Sequence, residues 1–148
     1  MSTLLVLGAG ASYGSDTTGT PPLGIKLFDE LRKFNPQGWG ALPASLQGAF
    51  LMDFEAGMVE LNKNHSHALP VLQRAMAAYF FNLQPRTTNI YVEIGRRIMA
   101  SGWSGAICTL NYERLLEHCI SHVGLRPVVD SSSIPKKDIE FCFPHGCC

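Results

Sequence analysis

The chain has 148 residues, 46% of them hydrophobic and 16% charged, which is enough apolar material for one packed core and unlike the make-up of a disordered segment. Twelve Lys and Arg offset twelve Asp and Glu, with neither sign gathered into a block, so the basic footprint of a nucleic-acid binder is excluded. The opening run Leu4 to Leu7 is too short for a signal peptide and no later run approaches a membrane span, so the expectation is a cytoplasmic protein without membrane contact. Five cysteines, an odd number with no paired C-x-x-C, read as free thiols in a reducing compartment.

Thr3 to Leu7 is short, apolar and bounded by glycine, the pattern of a strand buried on both faces of a parallel sheet. Beyond the rigid "TGTPPLG", Leu27, Phe28, Leu31 and Phe34 recur at helical spacing until Asn35-Pro36 stops them. Three further helical stripes come next: Leu46, Phe50, Phe54, Met58 and Leu61; then Leu69, Leu72, Met76, Phe80 and Leu83; then Tyr91, Ile94 and Ile98. "GAICTL" (105 to 110) predicts a second strand, and "ERLLEHCISHVG" a helix through Leu116, Ile120 and Val123. "RPVVD" and "IEFCFPHG" predict two more strands around the polar "SSSIPKK". Strands alternating with helices predict a parallel α/β sheet. The helices between the first two strands exceed what one crossover needs, and residues from about 36 to 104 are expected to form a helical insertion within a single domain spanning 1–148.

The turn "GAGAS" (8 to 12) lies directly after the first strand. Glycines at 8 and 10 allow a tight bend and let backbone N–H groups approach a pyrophosphate without an intervening Cβ, and a helix starting just beyond would add a favourable dipole. The dinucleotide fingerprint asks for a third glycine where this chain has Tyr13, so two readings stand, a phosphate cradle or a sterically demanding bend.

Three segments in order, "GAGAS" (8 to 12), "TLNYE" (109 to 113) and "PHG" (144 to 146), resemble the sirtuin superfamily's GAG-x-S turn, T-x-N-x-acid turn and His-Gly. The opening "LGAGASYGS", "PPLG" and "LFDEL", with "NYERLLE", is similar to the sirtuin-like NAD-hydrolase domains of bacterial antiphage defence proteins. The resemblance implies a Rossmann-like parallel sheet that binds NAD at the carboxyl ends of its strands. Gly8, Ala9, Gly10, Ala11 and Ser12 would then line the phosphates and ribose on the adenine side, with Thr109 and Glu113 also in the NAD site. Asn111 would hold the nicotinamide ribose or the attacking water, and His145 would be the general base. NAD is the expected substrate and no metal is called for, since cleavage of the nicotinamide–ribose bond chiefly needs fixed geometry and a delivered nucleophile.

The chain departs from the deacetylating sirtuins at three places. Pro22-Leu23-Gly24 stands for their D-F-R, Leu110 for the Gln before the Asn, and their four-cysteine zinc module is absent, so water replaces a peptide as the expected acceptor. Glu113 stands where many sirtuins have Asp, and a plain carboxylate at a helix N-terminus is its alternative reading. The family's sheet continues beyond the His-Gly, so C-terminal strands are expected to come from a longer protein or a partner, and a homo-oligomer is expected too.

Among other candidates, His118 and His122 are four apart beside Cys119 without a third ligand at metal spacing. Cys147 and Cys148 flank the candidate base, either as oxidisable neighbours or as an exposed terminus. The function expected is an NAD hydrolase acting in defence. The rivals are a non-catalytic nucleotide-binding or assembly module, and a deacylase or ADP-ribosyl transferase.

Overall fold

The computed structural model describes residues 3–103, 105–128 and 138–144. The chain is α/β, with four parallel strands flanked by helices in a Rossmann-like arrangement. The strands are β1 (Thr3–Leu7), β2 (Gly105–Thr109), β3 (Arg126–Val128) and β4 (Asp138–Cys142), and they lie in the order β1-β2-β4-β3. The register pairs Leu7 with Thr109 and Cys108 with Cys142, so the carboxyl ends of β1 and β2 emerge side by side.

The helices are α1 (Ala9–Ser12), α2 (Gly24–Phe34), α3 (Ala44–Met52), α4 (Phe54–Asn64), α5 (Leu69–Phe81), α6 (Ile90–Ser101) and α7 (Leu115–His122). The chain divides into two compact units. One comprises residues 1–20 and 83–148; the other is the helical unit Pro21–Asn82. Helix α2, read from the sequence as lying before an insertion of about 36–104, belongs to the helical unit, and α6 belongs to the unit that holds the sheet.

In the sheet unit, α6 and α7 cover one face. Tyr91, Val92, Leu116, Cys119 and Ile120 pack with Ile107, Ile139 and Phe141, and Leu5 and Leu7 join at the margin. Gly95 allows the close approach: a Cβ there would stand 2.8 Å from Val123 Cγ2. The opposite face of β1 carries Leu4 and Val6, 61% and 54% exposed. The sequence reading of β1 as buried on both faces does not hold: Leu5 and Leu7 are partly buried on the face that meets the core, and Leu4 and Val6 on the other are exposed.

The helical unit is built on an aromatic cluster. Phe28 stacks on Phe50 with ring centroids 4.9 Å apart, and Trp39 meets Phe50 edge-on at 5.4 Å while its Nε1 donates to the Leu72 carbonyl at 3.1 Å. The stripe Leu46 to Leu61, continuous in sequence, is broken in the fold between α3 and α4. Asp53 adopts an extended conformation and its carboxylate accepts the Ala56 N–H at 2.8 Å, the capping geometry that starts a new helix. Gly57 then lies against the Phe50 ring, which a Cβ at that position would strike.

Candidate functional site at the carboxyl ends of the first two strands

Strand β1 runs into Gly8, which is extended, and α1 forms beyond it as a single turn closed by bonds from Ala11 N to Gly8 O (2.9 Å) and from Tyr13 N to Ala9 O (3.0 Å). A helix of four residues sums too few peptide dipoles to supply the field expected of a long helix. The turn offers space instead. A Cβ built on Gly8 or Gly10 would meet no heavy atom within 4 Å, and neither residue has a positive φ. Among the described residues, packing and backbone conformation give no reason for glycine at either position. The left-handed residue of the turn is Gly14, at φ +71°.

The same turn aims Ser12 inward, fully buried. Its hydroxyl donates to Glu113 Oε1 at 2.5 Å. A serine has one proton to give, so the other two partners must donate to it: Tyr91 OH at 2.9 Å and Asn111 Nδ2 at 2.9 Å. All of its hydrogen-bonding capacity is thus used within the protein. The carry-over from sequence had Ser12 beside the phosphates with Gly8 to Ala11. In the fold, Ala9 and Gly10 are exposed on the rim while Ser12 forms the floor beneath them.

On β2 the chain ends its strand at Thr109, whose buried Oγ1 accepts the Asn111 N–H at 3.2 Å, and Leu110 N reaches back to the Leu7 carbonyl at 2.9 Å. These bonds bring Asn111 to the Gly8 turn. Its Nδ2 donates to both Ser12 Oγ and Glu113 Oε1, each at 2.9 Å, which fixes the amide's orientation. Asn111 Oδ1 is left over, buried and without a hydrogen-bond partner among the described residues. A buried acceptor without a partner costs on the order of 1–3 kcal/mol, which a ligand or water donor would recover.

Glu113 sits at the start of α7, as its plain reading expects, and is also bonded to Ser12 and Asn111. Its Oε1 takes the Ser12 and Asn111 donors, and its Oε2 accepts Leu115 N at 2.5 Å at the first residue of α7. Glu117, one turn into α7, has no such support. It is 2% exposed, neither carboxyl oxygen accepts a hydrogen bond among the described residues, and Arg114 Nε forms an ion pair with Oε1 at 3.5 Å. Burial, reinforced by the charge of Glu113, pushes its carboxyl above the ordinary range.

Tyr91, Asn89 and Asp16 were not visible as site residues in the sequence. Tyr91, on an apolar stripe, brings its hydroxyl to Ser12, and burial pushes that phenol up to about 12, so it remains a donor. Asn89 caps α6 through Tyr91 N (3.0 Å) and donates to Ser15 Oγ (3.0 Å), while Ile90 N bonds the Ser15 carbonyl at 3.0 Å. Asp16 accepts from Thr17 N at 2.7 Å and from the Thr88 hydroxyl at 2.9 Å, and the Thr17 N–H is the main reason its carboxyl lies low. The loop after the glycine turn is thereby bonded to the start of α6, which sets Tyr91 over Ser12. An Asn directly before an apolar helical stripe is a capping signal, and it was the one clue in the sequence.

His145, Cys147 and Cys148 lie outside the described residues. His118 and His122 sit on α7, with His122 Nδ1 donating to the His118 carbonyl at 2.8 Å, and no group of three or more potential metal ligands occurs among the described residues. Among these residues, too, no helix is long and apolar enough to cross a membrane. Comparison with protein-family models gives no match, and neither does comparison with curated proteins.

Proposed function

We propose that the chain is an NAD hydrolase, which cleaves the nicotinamide–ribose bond to give nicotinamide and ADP-ribose. The observation that carries this reading is the pairing of an open backbone turn at Gly8 and Gly10 with the leftover acceptor of Asn111 at the ends of adjacent strands. A nucleotide fits both: phosphates approach a backbone free of Cβ atoms, and a ribose hydroxyl or a bound water donates to Asn111 Oδ1.

In the reaction the electrons of the C1′–N bond leave with nicotinamide, positive charge builds on C1′, and water adds there. The residues supply geometry. Asn111 is held by two bonds of its own amide, so its free oxygen is oriented before substrate arrives. His145, assigned by the resemblance, takes the proton from water or a ribose hydroxyl, as an imidazole titrating near neutrality can. The resemblance also supports a cytoplasmic role in antiphage defence through NAD depletion, exerted by a homo-oligomer or together with a partner.

The test is nicotinamide release by the purified chain, beside Asn111→Ala and His145→Ala, with NAD binding measured on the same samples. Release should fall about 10²- to 10⁴-fold for His145→Ala with binding retained, the range for loss of a general base. Binding without release by the unaltered chain, across a range of protein concentrations, would refute hydrolysis in favour of a nucleotide-binding module.

A further inference from the structure

The sheet face opposite α6 and α7 carries a feature that the NAD reading does not use. Cys108 on β2 and Cys142 on β4 are direct register partners in a parallel pair, so both side chains leave the same face. Cys142 is exposed, Cys108 is 9% exposed, and both are free thiols. Burial first, and then the neighbouring Cys142 thiol, push the Cys108 thiol up. Paired parallel strands lie about 4.8 Å apart, inside the 4.4–6.8 Å range of Cα separations that disulfides span. Each cysteine also stands three residues before a candidate catalytic residue, Cys108 before Asn111 and Cys142 before His145.

We infer that Cys108 and Cys142 form a reversible dithiol–disulfide switch on β2 and β4, oxidised by peroxide, that controls the position of Asn111. The exposed Cys142 sulfur attacks peroxide, the O–O bond breaks, and water and a Cys142 sulfenic acid result. The Cys108 sulfur then displaces the hydroxyl, forming the S–S bond and releasing a second water. Two electrons pass from the thiol pair to peroxide, and two electrons from an external thiol reverse the change.

Closure acts on the site through distance. A disulfide draws its Cβ atoms to about 3.8 Å, so neighbouring strands must approach by ~1 Å at this level. Asn111 lies three residues on, and its two 2.9 Å bonds to Ser12 and Glu113 tolerate little of that shift before they leave hydrogen-bonding range. A misplacement of ~1 Å in a positioning group costs on the order of 10²-fold in rate. Strain of this kind also makes the disulfide easy to reduce, as a switch in a reducing compartment requires.

The effect on turnover rests on the proposed NAD hydrolysis, while formation of the bond does not. The full chain is treated with hydrogen peroxide, its disulfides are mapped by peptide mass spectrometry, and amide exchange is followed at residues 110–113. Nicotinamide release is measured before and after dithiothreitol. The expected result is a Cys108–Cys142 bond, faster exchange at 110–113, and release lowered about 10²-fold and restored by the reductant. Cys142→Ser and, independently, Cys108→Ala should keep release and lose its sensitivity to peroxide. Sulfinic acid at Cys142 with Cys108 still open to alkylation, a bond through Cys147 or Cys148, or a Cys108–Cys142 bond with unchanged exchange would each overturn the switch. Absence of release from the reduced protein would overturn the hydrolase reading alone, because mapping and exchange still decide the rest.

Discussion

Replacing Gly10 by alanine separates a glycine kept for the fold from one kept for a ligand. The added methyl meets no heavy atom within 4 Å, and Gly10 lies within the helical turn of α1 without a positive φ. Alanine at such a position reduces the freedom of the unfolded chain and stabilises by about 0.4–1 kcal/mol. For a protein of this size each kcal/mol moves the melting midpoint by about 2–4 °C, so a rise of about 1–4 °C is expected. Binding should move the other way. A methyl on the rim displaces a phosphate from a backbone N–H, and a hydrogen bond to a charged group is worth about 1.5–3 kcal/mol, or about 10- to 150-fold in the dissociation constant. Thermal unfolding without ligand and calorimetric titration with NAD read the two effects separately. A stabilised variant that binds NAD as the parent does would remove the turn from the site, and a destabilised one would show that the space above Gly10 is filled.

Ser12→Ala takes a shared partner from Tyr91, Asn111 and Glu113 at once, and a loss of about 1–3 kcal/mol in urea unfolding is expected, with NAD binding weakened because Asn111 is no longer oriented. For Glu117→Gln the readout is pH. Glu117 has its carboxyl raised in the fold, so the folded state keeps a proton that the unfolded chain releases, and the stability of the parent declines as pH rises from the ordinary carboxylate range through the raised value. The variant should lack that decline, so its unfolding midpoint should gain on the parent's as pH rises above the ordinary carboxylate range; parallel profiles would contradict the assignment. Gly57→Ala drives a methyl into the Phe50 ring and should cost about 1–3 kcal/mol through overpacking, read as a lower unfolding midpoint without change in NAD binding.

Much of the frame was legible in the sequence because periodicity dictates it. The strand at Thr3–Leu7, the helices around Leu31, Met76 and Ile120, and the return to a strand at 105 all come from spacing of apolar residues. The break at Asp53 was hidden because the stripe runs on in phase across it, and a single capping side chain decides the matter. The exposure of Leu4 and Val6 was equally hidden, since a strand covered on one face and a strand covered on both can have the same composition. At the site, Ser12, Asn111 and Glu113 could be singled out by motif. Their mutual bonds, across separations of 99 and 101 residues, could not, and neither could the arrival of Tyr91 from α6.

Glu113 and Glu117 show how the fold makes unlike groups from one residue type. Both are buried, at 5% and 2% exposure, and they lie four positions apart. Glu113 receives Ser12 and Asn111 on one oxygen and the opening N–H of α7 on the other, so each of its oxygens faces a donor. Glu117 receives none among the described residues, and burial first, then the charge of its neighbour, work against its ionisation. The first carboxylate thereby joins the start of α7 to the floor beneath the glycine turn, and whatever secures the helix end also orients Asn111. An aspartate in its place is one methylene shorter and would have to give up either the helix N–H or the Ser12–Asn111 pair. The longer side chain is thus what lets one residue act as cap and as organiser of the site.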